Sequence, residues 1–146
     1  MSPNEAIKTC FQKYFQFKGR APRPEFWWFM LFSSLFGLII SHDIFYSSLP
    51  VEILTTLIGF VIFLPTISVT FRRLQDTNKP GYWSVPFFVL PFIPDSLLYR
   101  FNHVLVLVFA GLILVYILLM LYWLTLKSDE IENDYGVPPT MKSQIL

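Results

Sequence analysis

Charged side chains are scarce in this sequence: Lys, Arg, Asp and Glu make up 14% of its 146 residues, against about a quarter in soluble domains. Apolar residues reach 54%, aromatic residues 18%, and the mean hydropathy is +0.54. A disordered chain would be rich in charge and poor in aromatics, and a soluble globule would need more polar surface. The composition therefore predicts an integral membrane protein of one domain.

Other features that the sequence lacks argue against particular classes of function and kinds of site. The net charge of +1 argues against a nucleic-acid binder, which usually has a basic excess. Cys10 is the one cysteine, so an internal disulfide framework and a cysteine-based zinc site are excluded. The two histidines, His42 and His103, do not lie at a metal-ligand spacing. No cofactor, metal site or catalytic residue is predicted.

Four apolar stretches follow one another, at residues 26–41, 53–71, 82–98 and 104–126. The fourth is the most apolar and is long enough to cross about 30 Å of hydrocarbon. The third contains three prolines and ends near Asp95. Because proline removes a backbone donor and clashes with the preceding turn, this stretch is expected to be a kinked or broken span, or a re-entrant hairpin. The first run has no small-residue cleavage site after it, so it is expected to remain as an anchor.

The placement of Lys and Arg predicts the orientation, because these residues favour the cytoplasmic side. With four spans, ten of the eleven basic residues share one side and only Arg100 falls on the other. That side is predicted to be the cytoplasm, with both termini inside. Three spans would leave the Arg72–Arg73 loop or the C-terminus outside, unless the third stretch is re-entrant.

Both ends of the chain have patterns of their own. Ile7, Phe11, Tyr14 and Phe15 share one helical face, which suits either the membrane interface or packing on the protein's own cytoplasmic surface. The tail is acidic and then proline-rich, and is expected to be a solvated extension without a core. The predicted division is a cytoplasmic amphipathic interfacial segment at 1–24, a four-span membrane domain at 25–126 and a cytoplasmic tail at 127–146. The predicted fold is an all-α integral membrane protein with four transmembrane helices, the third broken by proline, and an N-terminal interfacial amphipathic helix.

Two polar blocks interrupt the apolar background: GRAPRPEFW at residues 19–27 and RRLQDTNKPGYW at residues 72–83. Both fall on the predicted cytoplasmic side, one before the first span and one after the second. The connection between these spans is short, so they are expected to be antiparallel neighbours with the two blocks at one depth. The candidate site is the cytoplasmic polar cluster that the blocks form: Arg20, Arg23, Glu25, Arg72, Arg73 and Asp76.

Two interpretations of this cluster remain open. Its arginines could simply obey the positive-inside rule, with Asp76 neutralising one of them. Alternatively they could form an anion site, because a guanidinium matches phosphate or carboxylate and basic pockets can hold anionic lipid head groups. In either case a buried carboxylate costs several kcal/mol unless it is paired. Glu25 is therefore expected to pair with Arg72 or Arg73, and Asp76 to neutralise the other arginine or to reach Arg20 or Arg23.

The blocks GR-x-x-R-x-E-F-W and RRL-x-D-T-N-x-x-G-Y-W resemble a bacterial membrane family called domain of unknown function 805 (DUF 805). The tail stretch 133–139, NDYGVPP, is similar to an ending often seen in that family. Gln75 stands where the family often has His, and the region between the third and fourth spans is longer than the family pattern. The resemblance implies a small bacterial inner-membrane protein with several spans, and it implies no activity.

The function expected from these patterns is non-enzymatic. Glu25 and Asp76 have arginine neighbours, which repel a catalytic metal. We expect a structural or regulatory inner-membrane component with an Arg-rich cluster that binds anionic lipid; the alternative is a small transporter or pore-forming subunit acting as a homo-oligomer. The expected partners are the lipid bilayer with its anionic head groups, a protein partner or further copies of the chain, and no nucleic acid.

The topology gives a labelling prediction for a chain from which Cys10 has been removed. Single cysteines at Ser47 and Asn102 should react with an impermeant maleimide from the periplasm, and cysteines at Asn78 and Ser128 should not. Labelling is measured on intact cells, with permeabilised cells as the control. Periplasmic reaction at Asn78 would contradict the predicted orientation, and failure at Asn102 alone would favour a re-entrant third stretch.

Overall fold

A computed structural model describes residues 1–40, 49–94 and 102–139 of the chain. Every regular element within these ranges is a helix. The five α-helices and two short 3-10 helices are α1 (Pro3–Gln12), α2 (Arg23–Ile40), α3 (Leu49–Gln75), a 3-10 helix at Gly81–Ser84, α4 (Val85–Val89), a 3-10 helix at Leu90–Phe92 and α5 (His103–Thr125).

Helix α1 is a capped helix that packs on the rest of the protein. The Ser2 hydroxyl accepts from the backbone N–H of Glu5, while the Ser2 N–H donates to the Glu5 carboxylate at 2.8 Å, which fixes the first turn. The helix buries Ala6 and Cys10, and the ring of Phe11 lies edge-on to those of two α2 phenylalanines. Of the two interpretations, the structure therefore favours packing on the protein's own surface. Contact of α1 with the membrane interface stays a prediction.

The amphipathic face predicted for the N-terminal segment is wrong in its extent. Helix α1 ends at Gln12, so Tyr14 and Phe15 lie beyond it. Phe15 is 72% exposed. The chain leaves the helix because the Ser68 hydroxyl of α3 lies 2.9 Å from the carbonyl oxygen of Lys13 and 2.8 Å from that of Gln16. These contacts hold the segment against α3. In a continued helix the same carbonyls would point along the helix axis and could not both reach Ser68.

Among the described residues, two helices are long and apolar enough to cross a membrane: Pro50–Gln75 of α3 and His103–Thr125, which is the whole of α5. Helix α5 is apolar all round and exposed over most of its length, which is typical of a helix surrounded by lipid. Helix α2 has 18 residues and begins with the charged Arg23 and Glu25. The described part of the chain is therefore all-helical with two candidate spans, and the count of four spans stays a prediction.

The described part of the third predicted span is broken into short helical pieces. Pro86 lies in the first turn of α4 and Pro91 in the first turn of the following 3-10 helix. Proline is tolerated there because a first-turn N–H has no intrahelical partner, and it prevents the preceding helix from continuing. The remainder of this predicted span, with Asp95, lies outside the described residues.

The start of α2 and the C-terminal ends of α3 and α5 meet at one end of the molecule, which we call the cluster end. Arg72 near the end of α3 pairs with Glu25 at the start of α2, and Arg73 donates to the carbonyl of Leu124 at the end of α5. Beneath these contacts lies a small apolar core that includes Phe29, Val69, Leu74, Met120 and Leu124. The packing of the described residues is thus concentrated at this end.

The tail also packs at the cluster end, so the expectation of a solvated extension is wrong for residues 129–139. The backbone N–H of Asp129 donates to the Asp76 carbonyl at 3.1 Å, and Asn133 donates through its side chain to the Gln75 carbonyl at 3.0 Å. Pro138 is fully buried. The composition gave the wrong expectation because most of these contacts are hydrogen bonds, including those from the buried Arg20 to carbonyls of this segment, and such contacts need few apolar side chains. Residues 140–146 lie outside the described part.

Helix α3 ends in a tight reversal. The Lys79 N–H donates to the Leu74 carbonyl at 3.0 Å and the Asn78 N–H to the Gln75 carbonyl at 3.1 Å, with Asn78 at a left-handed φ of 54°. This is the Schellman arrangement, in which asparagine or glycine takes the left-handed position. Gly81 follows directly against the ring of Phe71. The chain therefore reverses direction within a few residues of the end of α3.

Replacing Gly81 by alanine should destabilise the protein. The added Cβ would lie 2.6 Å from a ring carbon of Phe71, so the backbone or the ring must shift, at a cost of about 1–3 kcal/mol. Gly37→Ala is the matched control, because nothing lies within 4 Å of a Cβ at that position. The thermal midpoint of the detergent-solubilised protein, followed by tryptophan fluorescence, should fall for Gly81→Ala and stay or rise for Gly37→Ala. Equal midpoints for the two variants would contradict the close approach.

Candidate functional site

The structure brings all six residues of the predicted polar cluster to the cluster end. The linker before α2 supplies Arg20, the first turn of α2 supplies Arg23 and Glu25, and the last turn of α3 with the following residue supplies the rest. Five of the six are buried and Arg23 is exposed. Burial of this much charge is costly unless the charged groups are paired.

Glu25 and Arg72 form a buried ion pair. Nη1 of Arg72 donates to Oε1 of Glu25, and the side chains are 1% and 2% exposed. The other carboxylate oxygen of Glu25 lies 3.9 Å from the Lys13 ammonium nitrogen. Nε and Nη2 of Arg72 are buried and have no hydrogen-bond partner among the described residues. The expected pairing of Glu25 with one of the two α3 arginines is therefore confirmed, and Arg72 is the partner.

Asp76 joins two arginines. Its Oδ2 accepts from Nη1 of Arg73 at 2.6 Å, and its Oδ1 accepts from Nε of Arg20 at 2.8 Å. Sequence analysis offered these pairings as alternatives, and the structure contains both. Because the Asp76 side chain is fully buried between them, this one carboxylate links the end of α3 to the linker before α2.

Two arginines cap the C-terminal end of α5. Arg73 donates from Nε to the Leu124 carbonyl at 3.0 Å and from Nη2 to the Leu126 carbonyl. Arg23 donates to the carbonyls of Leu126 at 3.0 Å and Thr125 at 2.5 Å. The last carbonyls of a helix lack intrahelical donors and carry the negative end of its dipole, so cations stabilise them.

Arg20 clamps the tail. Its Nη1 donates to the carbonyls of Ile131 at 2.8 Å and Gly136 at 3.2 Å, and its Nη2 donates to those of Asp76 at 3.3 Å and Asp129. Gly136 has a φ of +115°, which favours glycine and directs its carbonyl into this contact. All the donors of this guanidinium group are therefore directed at the chain itself.

Sequence analysis missed the role of Gln75. Its side-chain amide donates to the Phe17 carbonyl and accepts from the Gly19 N–H, both at 3.0 Å. Gly19 has a φ of +114°, a backbone conformation that side-chain-bearing residues rarely adopt. The position of Gln75 between Arg73 and Asp76 was a signal that it belongs to the cluster, but its partners are backbone atoms without a sequence signature.

Cys10 lies beneath the cluster, in an environment that makes its thiol unreactive. Its sulfur lies 4.0 Å from Oε1 of Glu25, and burial, with the Glu25 charge as a second cause, raises the pKa of the thiol to about 12. A thiol with such a pKa is protonated at neutral pH and is a poor nucleophile. Within the described ranges no group of three His, Cys, Asp or Glu side chains could hold a metal ion. The arrangement can hold chain segments together and keep charge buried.

Comparison with known proteins places the chain in a family. The family model described as "Protein of unknown function (DUF805)" matches residues 14–137, a stretch that includes all six cluster residues. The chain belongs to the DUF805 family. The predicted resemblance is therefore confirmed.

Relatives in this family carry names that state a location. The chain is 37% identical over 95 residues to "Inner membrane protein YhaH" of Escherichia coli (strain K12), covering 62% of this chain and 78% of that protein. It is 39% identical over 85 residues to "Inner membrane protein YhaI" of the same strain, covering 58% and 71%. No solved structure matches the chain. The family, these relatives and the two apolar helices support an inner-membrane location.

The buried pair gives a prediction about stability. Glu25→Gln should lower the thermal midpoint in detergent by roughly 10 °C, because removing one partner of a buried ion pair costs about 3–5 kcal/mol. Arg72→Gln should have a similar effect, and the double variant should lose less than the sum of the two. Glu130→Gln is the control, because it breaks a pair with Lys127 whose side chains are 77% and 75% exposed. Additive losses for Glu25 and Arg72 would show that the pair is not coupled.

Proposed function

We propose that this chain is a non-enzymatic structural or regulatory component of the inner membrane, in which the arginine cluster holds the helix ends and the tail together. The supporting observation is the use of the guanidinium groups. Arg20, Arg23 and Arg73 donate to carbonyl oxygens of the chain's own tail and of the end of α5. A site for substrate turnover or ion passage would keep such donors free for its ligand.

The proposed topology has four crossings with both termini in the cytoplasm. Helix α5 has 23 residues and a length of about 35 Å, so a bilayer-spanning α5 that ends at the cluster end begins on the opposite face. The end of α3 also lies at the cluster end. The chain between residues 76 and 102 must then pass from one face to the other. This supports a broken third crossing over a re-entrant hairpin.

The orientation rests on the arginines. Arg20, Arg23, Arg72 and Arg73 all lie at the cluster end, and the positive-inside rule assigns such an end to the cytoplasm. The tail is attached to the same end through Arg20, and α1 packs against the start of α2. Both described chain ends therefore belong to the cytoplasmic side in this proposal, where anionic lipid head groups would meet a basic surface.

The holding role of the cluster is tested by releasing the tail. Arg20→Gln removes the charge-assisted hydrogen bonds to the carbonyls of Asp129, Ile131 and Gly136, and each such bond is worth about 1.5–3 kcal/mol. Trypsin cleavage after Lys127, followed by mass spectrometry in detergent, should become at least about tenfold faster. Lys18→Gln, an exposed change in the same linker, should leave the rate unchanged. Equal protection in wild type and Arg20→Gln would contradict the clamp.

A measured transport activity would contradict the proposed structural or regulatory role. Purified wild-type chain reconstituted in liposomes should give no flux of potassium or chloride above that of protein-free liposomes, with gramicidin as the positive control for potassium. Flux that rises with the amount of protein would favour the small transporter or pore-forming subunit. Among the described residues, the apolar stretches of α3 and α5 carry no charged side chain between Ile53 and Phe71 or between Val104 and Thr125, which supports the absence of flux.

A further inference from the structure

A cavity of about 660 Å³ opens beside the ion pair at the cluster end. Three parts of the chain line it: helix α1 with the residues after it, the linker before α2, and the tail at residues 135–139. Its size is that of a small-molecule site. The polar side chains that matter for its chemistry are Thr9, Lys13, Glu25 and Tyr135.

We propose that this cavity binds a phosphate-bearing anion, with Lys13 as its cationic contact and the hydroxyls of Thr9 and Tyr135 as further donors. The lipid head group is the source that its position favours. This inference rests on the proposed membrane placement of the cluster end. The ligand contacts it assigns are not those of Arg20, Arg23 and Arg73, whose guanidinium groups donate to the chain itself.

The ammonium group of Lys13 has hydrogen-bond donors that the described residues do not use. Its side chain is 35% exposed, and the one carboxylate oxygen near it, on Glu25, lies at 3.9 Å, which is longer than an N–H···O hydrogen bond. An ammonium group has three donors. Within the described part of the chain, no hydrogen bond engages the side-chain hydroxyl of Thr9 or of Tyr135. A phosphate placed among these groups would find a charge and two hydroxyl donors.

The charges around the cavity favour an anion over a cation. Among the described residues that line the cavity, Glu25 is the one carboxylate, and its charge is offset by its ion pair with Arg72. Within the described part of the chain, two buried donors of Arg72 have no partner, and Arg20 is among the residues that line the cavity. A cationic ligand would meet Lys13 and Arg20, whereas an anion balances the excess positive charge.

The depth of the cavity favours a lipid head group. Glu25 forms part of its lining and is followed by Trp27 and Trp28, whose side chains are 41% and 39% exposed. Exposed tryptophans at the start of an apolar helix are typical of the head-group level of a bilayer, where the lipid phosphates lie. The proline and valine side chains of the lining would contact the glycerol portion, while Lys13 contacts the phosphate.

The test uses the full chain purified in dodecyl maltoside, with dioleoylphosphatidylglycerol, dioleoylphosphatidylcholine or glycerol 3-phosphate added. Phosphatidylglycerol should raise the thermal midpoint of the wild type by about 5 °C or more at saturation, and phosphatidylcholine should not. Lys13→Gln should abolish this shift and Lys13→Arg should retain it. Lys8→Gln is the matched control, because Lys8 is exposed on α1, the helix that precedes Lys13, and is not among the residues that line the cavity.

The outcomes separate the possibilities. A shift by glycerol 3-phosphate that depends on Lys13 supports the phosphate site with a soluble source, whereas a shift by phosphatidylglycerol alone supports the lipid source. An undiminished phosphatidylglycerol shift in Lys13→Gln, or an equal shift by phosphatidylcholine in the wild type, overturns the proposal. Each midpoint is referred to the same variant without additive, so a loss of basal stability does not mimic a loss of binding. Lys13→Gln leaves Arg20 and the tail contacts in place, so failure of this site is distinguishable from failure of the clamp and flux tests.

Discussion

Buried guanidinium groups must be satisfied, and this constraint organises the cluster end. Arg20, Arg72 and Arg73 are nearly inaccessible to solvent, and a buried cation without partners costs several kcal/mol. Among the described residues, Glu25 and Asp76 are the carboxylates paired with them. Backbone carbonyls accept most of the other hydrogen bonds of Arg20 and Arg73, whereas two donors of Arg72 have no partner in the described part of the chain. The segments with free carbonyls are helix ends and turns. The end of α5 and the tail are thus held where the arginines need acceptors.

The same constraint explains which parts of the site could be predicted. Charge and depth along the sequence were enough to predict the pairing of Glu25 with an α3 arginine. They gave the two contacts of Asp76 only as alternatives, and the structure contains both. The docking of the tail could not be predicted, because its acceptors are carbonyls such as those of Asp129 and Ile131, which every residue carries. For the fold, the apolar runs predicted α3, α5 and the broken segment after Gly81. They overestimated the amphipathic N-terminal helix, whose end is set by a tertiary contact from Ser68.

Gln75 connects the linker before α2 to the end of α3. Its amide donates to one backbone group and accepts from another, across the bend at Gly19. A neutral imidazole also has one donor and one acceptor, so the histidine that the resemblance implies for this position in the family would offer the same two hydrogen-bonding functions. The two contacts of Gln75 fit a structural role for this part of the second block.

The capping of α5 has a consequence for assembly. Chains are synthesised from the N-terminus, so Arg23 and Arg73 emerge before the helix whose last carbonyls they bind. Helix α5 buries few of its side chains against the rest of the described protein. Side-chain packing alone therefore contributes little free energy to its docking beside α3. The hydrogen bonds from Arg23 and Arg73 to the carbonyls of its final turn contribute that stabilisation. Helix α5, which is made after α2 and α3, thus binds to cationic side chains that these earlier segments already provide.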